Sequence, residues 1–245
     1  MSVNNIKLIS RINQNNMTIG CKLKDLVNIY TSEMYQDLVL KNRNFQNQGY
    51  IIVPKKYEFD KTFFFIRHDW TEDNKGFIII PKEEINLHYI AFWLNSLPTA
   101  LCLTDGNLSK PATITKKKLI SLPARSVDKE LMFSLGKCNS LIQEIQEYRS
   151  EKDDAIPYLY DLFSEIRDGL SLALVLKSLF DKSKITIIDE WKKVVSGEPK
   201  SNIDLISQIV LEKDELINQV QKIRVFITNL SDLLKDSGYG GNMED

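Results

Sequence analysis

Cysteine and histidine are scarce in this 245-residue chain, and the few that occur are scattered. Cys21, Cys102 and Cys138 are widely spaced and form no CxxC pair. This pattern argues against a disulfide framework and a structural zinc site, and each thiol is expected to be a small buried residue. His68 and His88 are the only histidines, and neither has a set of ligands beside it. We therefore predict no metal and no other cofactor.

Long apolar runs are also missing. The longest, residues 170–176 (LSLALVL), is far shorter than the ~20 residues that a membrane-spanning helix needs. The first ten residues, MSVNNIKLIS, lack the apolar core of a signal peptide. We therefore expect a cytoplasmic protein that has no membrane partner.

The familiar catalytic motifs are absent from the sequence. It contains no glycine-rich phosphate loop, no GxSxG elbow and no HExxH zinc motif. It also lacks the [DNS]PP[YFW] tetrapeptide of amino-methyltransferases. Residues 58–61 (EFDK) have letters that suit a PD…(D/E)xK nuclease, but no Pro-Asp pair lies upstream. The chain is therefore predicted to be non-catalytic.

The net charge of −1 hides an asymmetry between the two halves of the chain. Residues 1–126 carry 17 Lys and Arg against 11 Asp and Glu, whereas residues 127–245 carry 15 against 22. A basic first half suits a polyanionic partner, although such a split also arises without nucleic acid. We predict two domains, residues 1–126 and 127–236, and a flexible tail over residues 237–245.

Short β-branched and aromatic runs are typical of the first half. Residues 50–53 (YIIV), 62–66 (TFFFI) and 77–80 (FIII) are predicted strands, because turn-forming or charged residues bound each run. Apolar residues then recur at helical spacing from Asn86, a suitable N-cap, and Pro98 ends the pattern. Together with the second half, this pattern predicts an α+β fold in which a mixed α/β domain precedes an all-α region.

The second half keeps a helical period almost throughout. Residues 131–145 have the spacing of a coiled-coil seam, and further helices are predicted over residues 158–180 and around residues 185–195. The last helix carries the longest seam, which must pack within the chain, against residues 131–145, or between chains. The seam consists of Ile209, Leu216, Val220, Ile223, Ile227, Leu230 and Leu234.

Basic and polar residues are concentrated in three short segments of the first half. Lysines neutralise phosphates, and Asn, Ser, Thr, Arg and His bond to phosphates or base edges, while Trp stacks on bases. If these segments do not bind DNA, residues 106–118 are a solvated charge-rich loop and residues 67–70 are an ordinary polar strand end. The candidate DNA-binding residues are Lys55, Lys56, Arg67, His68, Trp70, Asn107, Ser109, Lys110, Thr113, Thr115, Lys116, Lys117 and Lys118.

The order of motifs in residues 76–123 resembles a target recognition domain of type I restriction–modification specificity subunits. The corresponding pieces are FIIIP, YIAFWLNS, GNLSKPATITKKKL and ISLP, and CKLKDLVNI resembles the family's usual opening. The Pro-Pro and Glu-Gln pair that the family carries before its spacer helix is replaced by LPARSVDKELM. The resemblance covers roughly residues 22–151 and implies a single recognition domain, followed by helices.

This resemblance implies a sequence-specific DNA-binding subunit that serves phage defence. Its partners would be double-stranded DNA, a DNA adenine methyltransferase subunit, a restriction subunit and, through the helices, a second copy of itself. Two alternatives stay open at this point. One is a stand-alone DNA-binding regulator that homodimerises through its helices, and the other is a structural assembly protein built on the C-terminal coiled coil.

Overall fold

The computed structural model describes residues 20–41, 49–69, 75–148, 155–180, 185–196 and 201–234. Its strands are β1 (Cys21–Lys22), β2 (Val27–Thr31), β3 (Tyr50–Val53), β4 (Lys56–Tyr57), β5 (Ile66–Arg67), β6 (Phe77–Pro81), β7 (Ala112–Thr113) and β8 (Pro123–Ala124). Its helices are α1 (Leu23–Leu26), α2 (Ser32–Lys41), α3 (Leu87–Leu94), α4 (Leu97–Leu103), α5 (Lys116–Ser121), α6 (Lys129–Tyr148), α7 (Ala155–Phe180), α8 (Ile187–Val195) and α9 (Asn202–Leu234). The predicted α+β class is confirmed. The predicted tail, residues 237–245, lies outside the described residues.

A four-stranded antiparallel sheet, in the order β2-β6-β3-β5, organises the first half. Alternate residues of a strand point to opposite faces of the sheet. Ile51 and its register partner Ile79 face the main core, while Ile78 and Ile80 pack with Tyr35 of α2 on the other face. Both faces are therefore covered, which explains why β6 is a continuous apolar run.

Helix α3 packs between the first-half core and α6. The Asn86 side chain caps it by accepting a hydrogen bond from the Tyr89 amide at 3.0 Å, as predicted. All of its residues from Tyr89 to Leu94 are buried, and it packs extensively along α6. Pro98 lies in the first turn of α4, where a proline costs no helical hydrogen bond.

The strand predicted over residues 62–66 is wrong for most of its length, since only Ile66 belongs to a strand, β5. The backbone of Phe64 bonds instead to a side chain. Its amide donates to Asn95 Oδ1 at 2.8 Å, and its carbonyl accepts from Asn95 Nδ2 at 3.1 Å. Phe64 is therefore buried while Phe63 and Phe65 stay partly exposed, and residues 62–65 form no ladder.

The helical region consists of α6 to α9. Within α9, the predicted seam residues Ile209, Leu216, Val220, Ile223 and Ile227 are all buried. They pack within the chain, and α9 contacts mainly α7 and α8 rather than the predicted neighbour, α6. The side chains of Leu230 and Leu234 lie outside the described residues.

Polar side chains of the helical region also bond to the backbone of the first half. Gln143 of α6 accepts from the Ile66 amide at 3.0 Å, and Asp168 of α7 accepts from the Leu97 amide at 3.1 Å. The main buried cluster contains residues from both halves of the chain. One core therefore continues across residue 126.

Candidate nucleic-acid interface

Two of the predicted basic segments meet in a short antiparallel ladder. β4 pairs with β7, with Lys56 opposite Thr113, and the Ile114 amide donates to the Lys55 carbonyl at 2.9 Å. Tyr57 and Ile114 are buried at this ladder and anchor it to the core. Because side chains alternate along a strand, the burial of Tyr57 leaves the Lys56 side chain exposed to solvent.

The lysine run lies on a helix, although residues 106–118 were predicted to be a loop. Helix α5 begins at Lys116, and the Thr115 hydroxyl caps it by accepting from the Lys118 amide at 3.2 Å. The buried Leu119 anchors α5 to the core, and Lys117 is exposed while Lys116 is partly exposed. The cap therefore uses one of the predicted base-contacting hydroxyls locally.

The turn before this ladder is fixed by its own hydrogen bonds. Asp105 and Gly106 both have positive φ, a conformation that turn-forming Asp and Gly residues tolerate. Asn107 Oδ1 accepts from the Ser109 amide at 3.2 Å. Asp105 also forms an ion pair with Lys118 at 2.9 Å, and the Lys118 side chain is only 23% exposed. Lys118 is therefore committed to the turn rather than presented to a ligand.

Apart from Lys118, the predicted lysines of these two segments are Lys55, Lys56, Lys110, Lys116 and Lys117, and we call them the lysine surface. Four are exposed and Lys116 is partly exposed. Glu33, at the start of α2, lies close enough to Lys55 for its charge to act. The pKa of Glu33 is held below its usual value by a hydrogen bond from its own backbone amide, by the Thr31 hydroxyl and, to a smaller extent, by Lys55.

The third predicted segment does not join the lysine surface. Arg67 pairs with Tyr50 at the beginning of β3, whereas Lys55 follows the end of that strand. Arg67 and His68 are exposed, and the Arg67 guanidinium lies 5.0 Å from the centre of the Phe65 ring. The structure therefore places this pair at the opposite end of β3. Trp70 lies outside the described residues.

His88 occupies a partly buried position at the start of α3. Burial is the main cause that lowers the pKa of His88, and the nearby His68 and Lys137 add to it. Its Nδ1 atom is buried and has no hydrogen-bond partner among the described residues. A neutral imidazole at this boundary is compatible with packing and offers no ligand set.

One basic residue near this surface, Lys24, is not among the predicted DNA-binding residues. Lys24 is exposed on α1, and α1 packs against α5, the helix that carries Lys116 and Lys117. The β1–β8 pairing and a hydrogen bond from the Leu23 amide to the Leu122 carbonyl, 2.8 Å long, hold the two helices together. The residues around Lys24 in the sequence do not predict that it lies near α5, because the contact joins residues that are far apart in sequence.

Across the described ranges, no group of three or more His, Cys, Asp or Glu side chains is placed to hold a metal ion. Nor does any helix in those ranges combine the length and apolar character needed to cross a membrane. Comparisons with known protein families, curated proteins and solved structures found no match for this chain.

Proposed function

We propose that this protein is the DNA-binding specificity subunit of a restriction–modification or related defence system. The observation that carries the proposal is the β4–β7 ladder, which brings the segment of Lys55 and Lys56 beside the segment that carries Lys110, Lys116 and Lys117, more than fifty residues away in sequence. Lysines at such a surface neutralise DNA phosphates and release counterions. The family resemblance of residues 76–123 points to the same function.

Base contacts would come from polar groups beside the lysines. Thr113 and Ser109 are exposed on the ladder and on the adjoining turn. Hydroxyls bond to base edges as well as to phosphates, so they suit sequence readout once lysines have positioned the duplex. Arg67 and His68, at the other end of β3, would reach a separate stretch of the duplex.

In this proposal the chain itself is non-catalytic, and its helical region docks the catalytic partners. Those partners are a DNA adenine methyltransferase subunit and a restriction subunit. The helical region is acidic overall, which keeps its surface away from DNA and leaves it free for protein contacts.

Fluorescence anisotropy with labelled duplexes tests DNA binding. We expect the logarithm of the association constant to fall linearly with the logarithm of salt concentration, with a slope of roughly −4 if the lysine surface contacts four or five phosphates. The double variant Lys116→Glu/Lys117→Glu should weaken binding by about 10- to 100-fold for every duplex. The control Lys129→Glu/Lys193→Glu makes the same change of charge on α6 and α8 and should bind like the parent chain.

Absence of salt-sensitive binding, alone and with a methyltransferase subunit, would contradict the proposal. Equal losses in both double variants would show a general charge effect and remove the lysine surface from the interface. Co-expression with a methyltransferase subunit then separates the remaining DNA-binding alternatives. A stable complex supports a specificity subunit, whereas DNA binding with no such complex supports a stand-alone regulator.

A further inference from the structure

Helix α9 carries a stripe of two apolar residues and one asparagine on the face turned away from the rest of the protein. Leu211 is 84% exposed and Val225 is 59% exposed, with the exposed Asn218 midway between them. The three residues are spaced by seven, so they lie along one line of the helix. That line is opposite the seam that packs on α7 and α8.

The charges on this outward face change sign at Asn218. Asp214 and Glu215 precede it, Lys222 follows it, and all three side chains are exposed. On a helical projection Glu215 and Lys222 flank the apolar line on one side, while Asp214 flanks it on the other. The face therefore has an acidic end and a basic end on either side of one residue.

We infer that a second copy of this chain docks on the outward face of α9, antiparallel to it, with a twofold axis at Asn218. In this arrangement Leu211 of each copy lies against Val225 of the other. Lys222 lies beside Glu215 of the second copy, and the twofold axis repeats this contact. The two Asn218 side chains meet at the axis. This face is distinct from the predicted seam, which the chain already buries.

Charge selects the antiparallel orientation. A parallel pair in the same register would bring Asp214 of one copy beside Glu215 of the other, which places like charges together on both sides. The antiparallel pair replaces those contacts with two between Lys222 and Glu215. The self-complementary charges argue for a second copy as the occupant rather than for a partner of different sequence.

Two grooves lie beside α9, next to the residues of this outward face. One, of about 270 Å³, lies next to Leu211 and Glu215 and reaches Val194 of α8. The other, of about 470 Å³, lies next to Lys222 and Val225 and reaches Ile185. They lie at opposite ends of the stripe, so the twofold axis brings the groove beside Leu211 of one copy to the groove beside Val225 of the other.

The interface is short, so the dimer should be weak. Leu211 and Val225 are about 21 Å apart along the helix axis, at 1.5 Å per residue. A standard stable interface buries roughly 800 Å² on each partner. For so small an interface we expect a dissociation constant on the order of 10 µM. Sedimentation equilibrium at protein concentrations from about 1 to about 200 µM, without any DNA, measures this constant. The inference therefore stands or falls independently of the proposed function.

Cysteine cross-linking tests whether the twofold axis of the dimer lies at Asn218. In a background in which the partly exposed Cys21 and Cys102 are changed to serine, Asn218→Cys should form a disulfide-linked dimer on mild oxidation. The control Ser207→Cys lies on the same outward face but about 33 Å from its symmetry mate in the antiparallel pair, so it should remain monomeric. Efficient cross-linking of Ser207→Cys would indicate a parallel pair and overturn the proposed orientation.

Charge exchange tests the pairing. Glu215→Lys and Lys222→Glu should each weaken the dimer several-fold, and the double variant should return it to within about twofold of the parent. Leu211→Asp/Val225→Asp should weaken it at least tenfold while preserving the circular dichroism spectrum. A parent chain that stays monomeric at 200 µM, or a dimer that these changes leave intact, overturns the proposal. In the monomeric case, another protein or another segment of this chain would cover the stripe.

Discussion

At the scale of single residues, Gly76 fixes the start of β6 beside the end of β3. Its φ of +146° is a conformation that favours glycine, and a Cβ atom built there would lie 2.3 Å from the Val53 carbonyl oxygen. The Ser32 hydroxyl accepts from the Gly76 amide at 2.8 Å and donates to its carbonyl at 3.0 Å. These hydrogen bonds link the start of β6 to the start of α2, beside the end of β3 that leads into Lys55.

Gly106 provides a matched control for a prediction at Gly76. Both residues have positive φ, but a Cβ atom at Gly106 would meet nothing within 4 Å. Gly76→Ala should lower the free energy of unfolding by about 3 kcal/mol or more, since it adds a backbone clash to the strain. Gly106→Ala should cost only about 1–2 kcal/mol of strain. Urea denaturation measures both, and equal losses would show that the approach to Val53 relaxes at little cost.

At the scale of elements, local sequence patterns predicted the strands and helix ends that are determined by residues close together in the sequence. β3, β6 and the capped start of α3 follow from β-branched runs and from Asn86. The failures have a common physical cause in distant partners. Residues 62–65 form no ladder because the Asn95 side chain takes the backbone bonds of Phe64, and no spacing rule predicts that contact.

The candidate site also has features that follow from local sequence and features that depend on distant residues. Composition was sufficient to propose its lysines, because basic residues that interrupt apolar runs are visible in the sequence, and their contact with DNA stays a prediction. It was not sufficient to place Lys56 opposite Thr113, to set Arg67 apart, or to pair Lys118 with Asp105. Those relations depend on which strands pair over long sequence separations and on a turn, whereas hydrophobic periodicity predicts only the type of a local element.

Asn95 links three elements and carries a prediction at this scale. Besides its two bonds to the buried Phe64, its Nδ2 donates to Asn139 Oδ1 of α6 at 3.2 Å. Asn95→Ala leaves the Phe64 amide and carbonyl without these partners, so the free energy of unfolding should fall by about 2–3 kcal/mol. The control Asn229→Ala, at an exposed position of α9, should change it by less than about 0.5 kcal/mol. A loss at Asn95 as small as that of the control would show that water replaces the lost bonds without cost.

At the scale of the whole molecule, charge and packing divide the chain differently. The first half is basic and the second acidic, which suits two kinds of partner. The packing has no such boundary, because α3 is buried between the first-half core and α6. A specificity subunit built in this way would hold its DNA-facing lysines and its docking helices in one rigid frame. The predicted limit at residue 126 would then separate surfaces rather than folding units.

Truncation tests this view of the molecule. A fragment of residues 1–126 loses α6 and α7, and with them the partners of Ile66 and Leu97 and the cover over α3. It exposes a large apolar surface, so we expect no cooperative thermal transition in circular dichroism. The control, residues 1–234, keeps every described element and should melt within a few degrees of the full chain. Cooperative unfolding of the short fragment would show that the basic half folds independently and that α6 is an attached spacer.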